Sequence, residues 1–187
     1  MDKEMLGLMK KSGFGKFFAV GIESAVPRVR ELMDKQLSQE ELTSGLALLN
    51  KYGFRPDGNF ILGYPGETRG EMLQTIDWAV RTKYLWGASF TPFIPLPGSP
   101  IVDELLAKGE FPKDFDFTQL GTDRVLYAPK GMTTQELDDI RKLAIKRFYF
   151  RPRIVLNFIF TGRWLWAVVR FIKVFFPDWM LPKEWRR

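Results

Sequence analysis

Glu23 and Ser24 stand directly behind a short apolar run at residues 16–22. A carboxylate in that place can accept hydrogen bonds from an amine or from ribose hydroxyls, and the serine hydroxyl can donate or accept. The pair also has a plainer use, in which Ser24 caps a following helix and Glu23 favours its positive end. A second stretch, Gly63-Tyr64-Pro65-Gly66-Glu67-Thr68, has two glycines that permit positive φ or close backbone approach. Main-chain N–H and C=O groups exposed at such a turn can read the edge of a purine. The alternative is a loop in front of a capped helix. It is not a phosphate loop, because no lysine follows the second glycine. A third stretch, TPFIPLPGSP at residues 91–100, is rigid with proline and serves either as a cleft wall or as a connection.

The elements that must position these groups alternate in type. Residues 2–12 have helical spacing, and residues 16–22 read as a buried parallel strand. Pro27 fits the first turn of a helix, and a second helix follows with Ser38 and Glu41 at capping-box spacing and Gly53 as its stop. Residues 59–63 read as a strand, Thr68 and Glu71 as another capping box, and the helix behind it runs to about Lys83. Residues 86–94 read as a third strand, and Pro100 opens the next helix. Residues 110–132 read as irregular, with one strand-like piece at DRVLYA. Thr133 and Glu136 cap a long helix through Phe150, which RPR then breaks. The order βα(α)βαβα implies parallel strands with helical crossovers. Three strands cannot close a barrel, which needs about 250 residues in its eight-stranded form. The expected fold is therefore α/β, a partial TIM-type (β/α) barrel plus an α-helical carboxyl-terminal extension, with the pattern truncated at its amino end. The expected divisions are the half-barrel at 1–109, a post-barrel loop and helix at 110–150, and a tail at 151–187.

Composition limits the chemistry. The chain has no cysteine and no histidine. That removes disulfides, thiolate nucleophiles, Cys-ligated metals and the commonest proton shuttle at neutral pH. No acidic cluster has the spacing of a calcium loop. Tyr64, Tyr84 and Tyr127 are candidate hydrogen donors, none favoured by spacing.

In order and spacing the three stretches resemble the later half of a radical S-adenosylmethionine (radical SAM) enzyme core. In that family the fourth strand commonly ends in Gly-Ile-Glu-Ser-Gly. The fifth carries a Gly-x-Pro-Gly-Glu-Thr turn, and the sixth leads into Pro-x-Pro-Gly-Thr-Pro. This chain has Gly21-Ile22-Glu23-Ser24, then Gly63-Tyr64-Pro65-Gly66-Glu67-Thr68, then Pro95-Leu96-Pro97-Gly98-Ser99-Pro100. The subgroup it most resembles carries a cobalamin-binding domain ahead of the radical core, and RFYFRPR at residues 147–153 is similar to that subgroup's region after the core. The resemblance implies that Glu23 and Ser24 lie near the ribose and methionine parts of S-adenosylmethionine. It implies that the backbone from Ile61 to Gly63 and at Phe93 lies near the adenine, while Gly66 and Glu67 shape the turn. Ala25 departs from the family glycine and Ser99 from threonine. The larger departure is that the Cys-x3-Cys-x2-Cys loop for a [4Fe–4S] cluster, and the first three strands, are absent. Such a cluster needs thiolate ligands, so the expectation is a chain that cannot cleave S-adenosylmethionine alone. It would form part of the cofactor and substrate site of a cobalamin-dependent methyltransferase or cyclase. Its partner would be the missing cluster-binding half, in the same gene product or a separate chain. The expected substrate is a small molecule such as a lipid or tetrapyrrole.

The net charge of +6 falls entirely in residues 151–187, because the rest of the chain is neutral. On a helical wheel Arg163, Arg170 and Lys173 fall on one side of residues 153–176, with Trp164, Leu165, Val168, Phe171, Ile172, Phe175 and Phe176 opposite. That pattern suits an anionic membrane interface; the alternative is packing on the missing half or on a partner chain. Nucleic acid is the lesser option, since the apolar face has no role there. The amino end is charged and lacks a signal-like apolar core, so the expected location is cytoplasmic, with the tail against the inner membrane face. The competing function is a non-catalytic, membrane-peripheral binding or accessory protein that retains a half-barrel.

Overall fold

The computed structural model describes residues 2–122 and 124–161, with side chains through Leu156. The chain divides into two units, Met1–Phe148 and Tyr149–Arg187. In the first unit α1 (Lys3–Lys11) precedes β1 (Phe17–Glu23), α2 (Pro27–Leu32) and α3 (Gln39–Lys51). Then come β2 (Arg55–Leu62), α4 (Arg69–Arg81), β3 (Gly87–Pro92) and α5 (Pro100–Ala107). A 3-10 turn at Phe117–Gln119 and α6 (Thr134–Tyr149) follow. In the second unit α7 (Pro152–Thr161) starts at a proline, the residue that suits a first helical turn. The basic aromatic run expected at 153–176 lies mostly outside the described residues. Among those described, no helix is long and apolar enough to cross a membrane.

The strands form one parallel sheet in the order β1-β2-β3. The fold is α/β, three parallel strands with helical crossovers, as in part of a TIM-type (β/α) barrel. Alternation sorts each strand into two faces. One face is buried and includes Ile22, Phe60, Leu62, Ala88 and Phe90. Phe60 stacks on Phe90 with ring centroids 5.0 Å apart; Trp78 of α4 meets Phe60, and Phe148 of α6 meets Phe90, edge to face. Along β2 and β3 the other face carries Asp57, Asn59, Ile61, Ser89 and Thr91, all at least partly exposed. A closed barrel would enclose that polar face.

Three capping boxes hold the helix starts. Ser38 with Glu41 and Thr68 with Glu71 bond reciprocally, and Glu136 does the same for Thr133. Two expectations need correction. β2 begins at Arg55, not at residue 59. Pro56 and Gly58 disguise its first half, yet that half pairs with β1 on one side and β3 on the other, so tertiary pairing overrides propensity. Gly58 serves packing: a Cβ there would meet Ile22 Cδ1 at 2.9 Å. DRVLYA contains no strand among its described residues. Its tyrosine, Tyr127, is buried instead in an aromatic cluster.

Candidate site at the carboxyl edge of the sheet

The three stretches singled out by their chemistry end on one edge. Parallel strands put all three carboxyl ends on the same side, and the order β1-β2-β3 makes them neighbours. This is where open α/β sheets and barrels hold ligands.

At the end of β1 the ladder slips between Gly21 and Glu23, and Glu23 adopts φ 63. A left-handed glutamate is strained. The positive φ therefore falls on Glu23, two residues before the Ala25 that departs from the family pattern. The Glu23 carboxylate is paired with Lys35 Nζ at 3.0 Å, and the same ammonium donates to the Gly21 carbonyl. Ser24 is fully buried. Its hydroxyl sits 3.0 Å from Thr75 Oγ1 of α4 and accepts from the Val26 N–H at 3.1 Å. Thr75 also accepts from the Ala25 N–H at 3.2 Å. Ser24 therefore ties the β1 end to α4, and Glu23 keeps the more open position. Beneath them Arg30, 1 % exposed, donates to the Ser24 carbonyl at 2.8 Å and to the Leu37 carbonyl at 2.9 Å. Burial lowers its pKa.

The turn after β2 is built by its own residues. Glu67 N–H donates to the Tyr64 carbonyl at 2.8 Å across Pro65 and Gly66 (φ 81), the arrangement of a type II turn. Glu67 is buried, and its Oε2 accepts from the N–H groups of Gly63 at 2.7 Å and Tyr64 at 3.2 Å. Those two N–H groups, placed by sequence among the purine readers, are thus taken up inside the turn. Oε1 of the same carboxyl has no partner. Burial pushes the Glu67 pKa up to about 7, against the pull of the two backbone donors. Next to it Arg28 grips Glu71 through two hydrogen bonds of 2.7 Å and the Gly66 carbonyl at 2.8 Å. That grip holds the Glu71 carboxyl down at about 2. Gly63, at φ 77, lies against α6; a Cβ there would stand 2.4 Å from Leu137 Cδ2.

Phe93 follows β3, and its N–H donates to the Leu62 carbonyl at 2.9 Å. Its ring packs edge to face on Tyr64 at 5.3 Å and on Tyr127 at 5.5 Å. Leu105 and Phe111 complete this cluster, with Ile61 packed against it. The structure thus brings Ile61, Gly63 and Phe93 together through adjacent strand ends. Glu23 stands across β2, in register with Phe60. Of the three tyrosines, Tyr64 and Tyr127 lie at this edge, and burial raises the pKa of both phenols. Tyr84 lies ahead of β3, at the opposite end of the sheet, where its carbonyl accepts from Asn50 at 2.8 Å. Lys35, Arg30, Arg28, Thr75 and Leu137 were not anticipated as parts of this edge. Thr75 and Leu137 reach it from distant stretches, and Arg28, Arg30 and Lys35 from α2 and the turn behind it.

Residues 1–79 match the family model described as the Radical SAM superfamily. Over those residues the chain is similar to that superfamily. The relatives it matches are longer. It is 28% identical over 159 residues to an uncharacterized methyltransferase of Pyrococcus horikoshii, across 85% of this chain and 34% of that protein. It is 26% identical over 156 residues to an anaerobic magnesium-protoporphyrin IX monomethyl ester cyclase of Cereibacter sphaeroides, across 82% of this chain and 24% of the relative. A protein of the same name from Rubrivivax gelatinosus is 26% identical over 163 residues, 86% of this chain and 28% of its own length. The chain thus spans about a quarter to a third of these relatives. The family's two groups fit it unequally. With no cysteine or histidine, its donor set cannot ligate a [4Fe–4S] cluster. S-adenosylmethionine fits better, because the half-exposed Glu23 and Lys35 and the polar sheet face offer it partners.

Proposed function

We propose that this chain supplies one wall of the S-adenosylmethionine and substrate site of a radical SAM methyltransferase or cyclase, whose cluster is ligated outside it. The observation that carries this reading is the shared edge: Glu23, Ile61, Gly63 and Phe93 end three adjacent parallel strands. The aromatic cluster around Phe93 gives that edge an apolar flank, suited to a planar or lipid-like substrate. The names of the relatives support methyl transfer or cyclisation, with a tetrapyrrole as one substrate class. Cobalamin belongs to the same reading through the subgroup resemblance and would sit in a domain ahead of the core.

The missing wall is the cluster-binding half of the barrel. Among the described residues β1 is an edge strand, and Phe17 at its start and Phe14 just ahead of it are each 50% exposed. Exposed apolar side chains at an edge strand support a covering partner. The expected result is that the chain alone, reconstituted anaerobically with iron and sulfide and then reduced, forms no 5′-deoxyadenosine. Mixed with the cluster-binding half of a radical SAM relative, it should form 5′-deoxyadenosine in a reductant-dependent way. Formation by the chain alone would overturn the proposal. A second reading, a non-catalytic accessory protein that retains the half-barrel, is favoured by the lack of any thiolate. Failure of the mixed sample, with the two halves shown to associate, would select it.

The basic, aromatic stretch at 153–176 supports placement at an anionic membrane surface. The full chain should float with vesicles rich in anionic lipid at low salt and be released at high salt. A chain ending at Arg151 should stay at the bottom of the gradient. Equal behaviour of the two chains would remove the membrane from the account.

A further inference from the structure

A buried tyrosine at the carboxyl edge carries a hydroxyl with no internal use. Tyr127 is 4% exposed. Its ring packs edge to face on Phe93 at 5.5 Å and meets Phe111 at 6.5 Å, and Leu105 completes an otherwise apolar cluster. Phenylalanine would fill that place equally well. Among the described residues nothing hydrogen-bonds the Tyr127 hydroxyl. It is not one of the fully enclosed atoms without a partner, so it opens out of the cluster. A buried phenol normally finds a partner, and one that has none needs a reason. The other buried polar groups of this edge are committed. Ser24 and Thr75 share a hydrogen bond, and Arg30 holds two backbone carbonyls. Tyr64 also meets Phe93, at 5.3 Å, but it is only partly buried, and water can serve its hydroxyl.

The chain fixes Tyr127 from behind. Only Ala128 separates it from the buried Pro129, where a turn begins. The Met132 N–H closes that turn on the Pro129 carbonyl at 3.0 Å, with Gly131 at φ 86. Thr133 and Glu136 then start α6, and Leu137 of that helix seats against Gly63. The phenol is thereby tied to the strand end that it borders. Burial and the nearby Glu110 both raise its pKa, so it stays neutral at ordinary pH and acts as a donor. The Glu110 charge also opposes a second negative charge beside it. The acceptor that fits is therefore uncharged.

We propose that Tyr127 recognises a neutral carbonyl oxygen, that of a ketone or an ester, on an otherwise apolar substrate. The O–H donates to that oxygen, and the partly exposed Ile61, Phe115 and Phe117 of the same cluster offer the apolar body a surface. This rests on the reading of the edge as a substrate wall. It adds the functional group that is read and the residue that reads it.

The test is equilibrium binding to the full chain with two fluorescent probes. Prodan is a dimethylaminonaphthalene bearing one ketone, and its emission moves to the red when the ketone accepts a hydrogen bond. Plain dimethylaminonaphthalene has the same rings without the ketone. Tyr127→Phe should weaken prodan by about three- to tenfold, the scale of one neutral hydrogen bond, and move the bound emission to the blue. Dimethylaminonaphthalene should bind both chains alike. The urea midpoint of Tyr127→Phe should match the wild type, because no internal bond is lost. A lowered midpoint with prodan binding unchanged would give the hydroxyl an internal partner and overturn the proposal. Equal losses for both probes, or no loss for either, would also overturn it. A loss of S-adenosylhomocysteine binding in Tyr127→Phe would assign the hydroxyl to the nucleoside and overturn the substrate role. If the wild-type chain binds S-adenosylhomocysteine but not prodan, the role of Tyr127 fails and the cofactor wall stands. If it binds neither, the reading of the edge as a wall fails with it.

Discussion

Gly63→Ala is expected to destabilise the chain by about 2–4 kcal/mol, an effect well beyond that of an ordinary surface substitution. Two terms add. Gly63 sits at φ 77, where a Cβ costs roughly 1 kcal/mol even for alanine. The new Cβ would also stand 2.4 Å from Leu137 Cδ2, and Leu137 is fully buried. Overpacking of a filled site costs about 1–3 kcal/mol. The terms separate in a double-mutant cycle. In a Leu137→Ala background the clash is gone and the backbone strain stays, so Gly63→Ala should cost only about 1 kcal/mol there. Urea unfolding of the four chains measures this. Additive costs would mean that Leu137 does not seat on Gly63. The result bears on function, because the same contact fixes the wall beside Ile61 and Phe93.

The second large effect is a pH dependence from Glu67. Its carboxyl has an ordinary pKa of 4.5, which burial raises to about 7 in the folded chain. Below 4.5 it carries a proton in both the folded and unfolded chains. Between the two values the folded chain holds the proton more tightly. Raising the pH through that window therefore removes stability, and the loss is complete above about 7. The span corresponds to a loss of about 3 kcal/mol, an order-of-magnitude figure. Glu71 does not mask it. Its folded pKa is depressed to about 2 by Arg28, so its contribution is present above 4.5 and fades only as the pH falls through 2. Urea midpoints should fall from pH 5 to pH 8 in the wild-type chain. Glu67→Gln mimics the protonated side chain and keeps an oxygen for the Gly63 and Tyr64 N–H groups, so its midpoints should change much less. Parallel pH profiles in the two chains would show that Glu67 is not the group responsible.

What the sequence made legible was local or periodic. The capping boxes at Ser38, Thr68 and Thr133 depend on partners three residues apart, and all three form. The alternation of strands and helices gave the parallel sheet, because apolar runs joined by helical crossovers leave few other arrangements. The first half of β2 was hidden, since Pro56 and Gly58 read as turn residues until a neighbour on each side is known. The motif stretches do meet at one edge, but their side chains are disposed by contacts that no short pattern encodes. Ser24 turns to Thr75, 51 residues away, instead of standing open beside Glu23. Lys35 reaches the Gly21 carbonyl from the far side of α2, and Leu137 covers Gly63 from α6. Such pairings come from packing two elements together, and a lone lysine or leucine does not announce them.

The central claim is that the carboxyl edge of this sheet is a wall of an S-adenosylmethionine site. A titration of the isotopically labelled full chain with S-adenosylhomocysteine, followed through its backbone amide resonances, tests it most directly. Shifts concentrated at Glu23, Ile61, Gly63 and Phe93 are the predicted result. Shifts concentrated at the opposite ends of the strands, around Phe17, Arg55 and Gly87, or no shifts at saturating ligand, would contradict it.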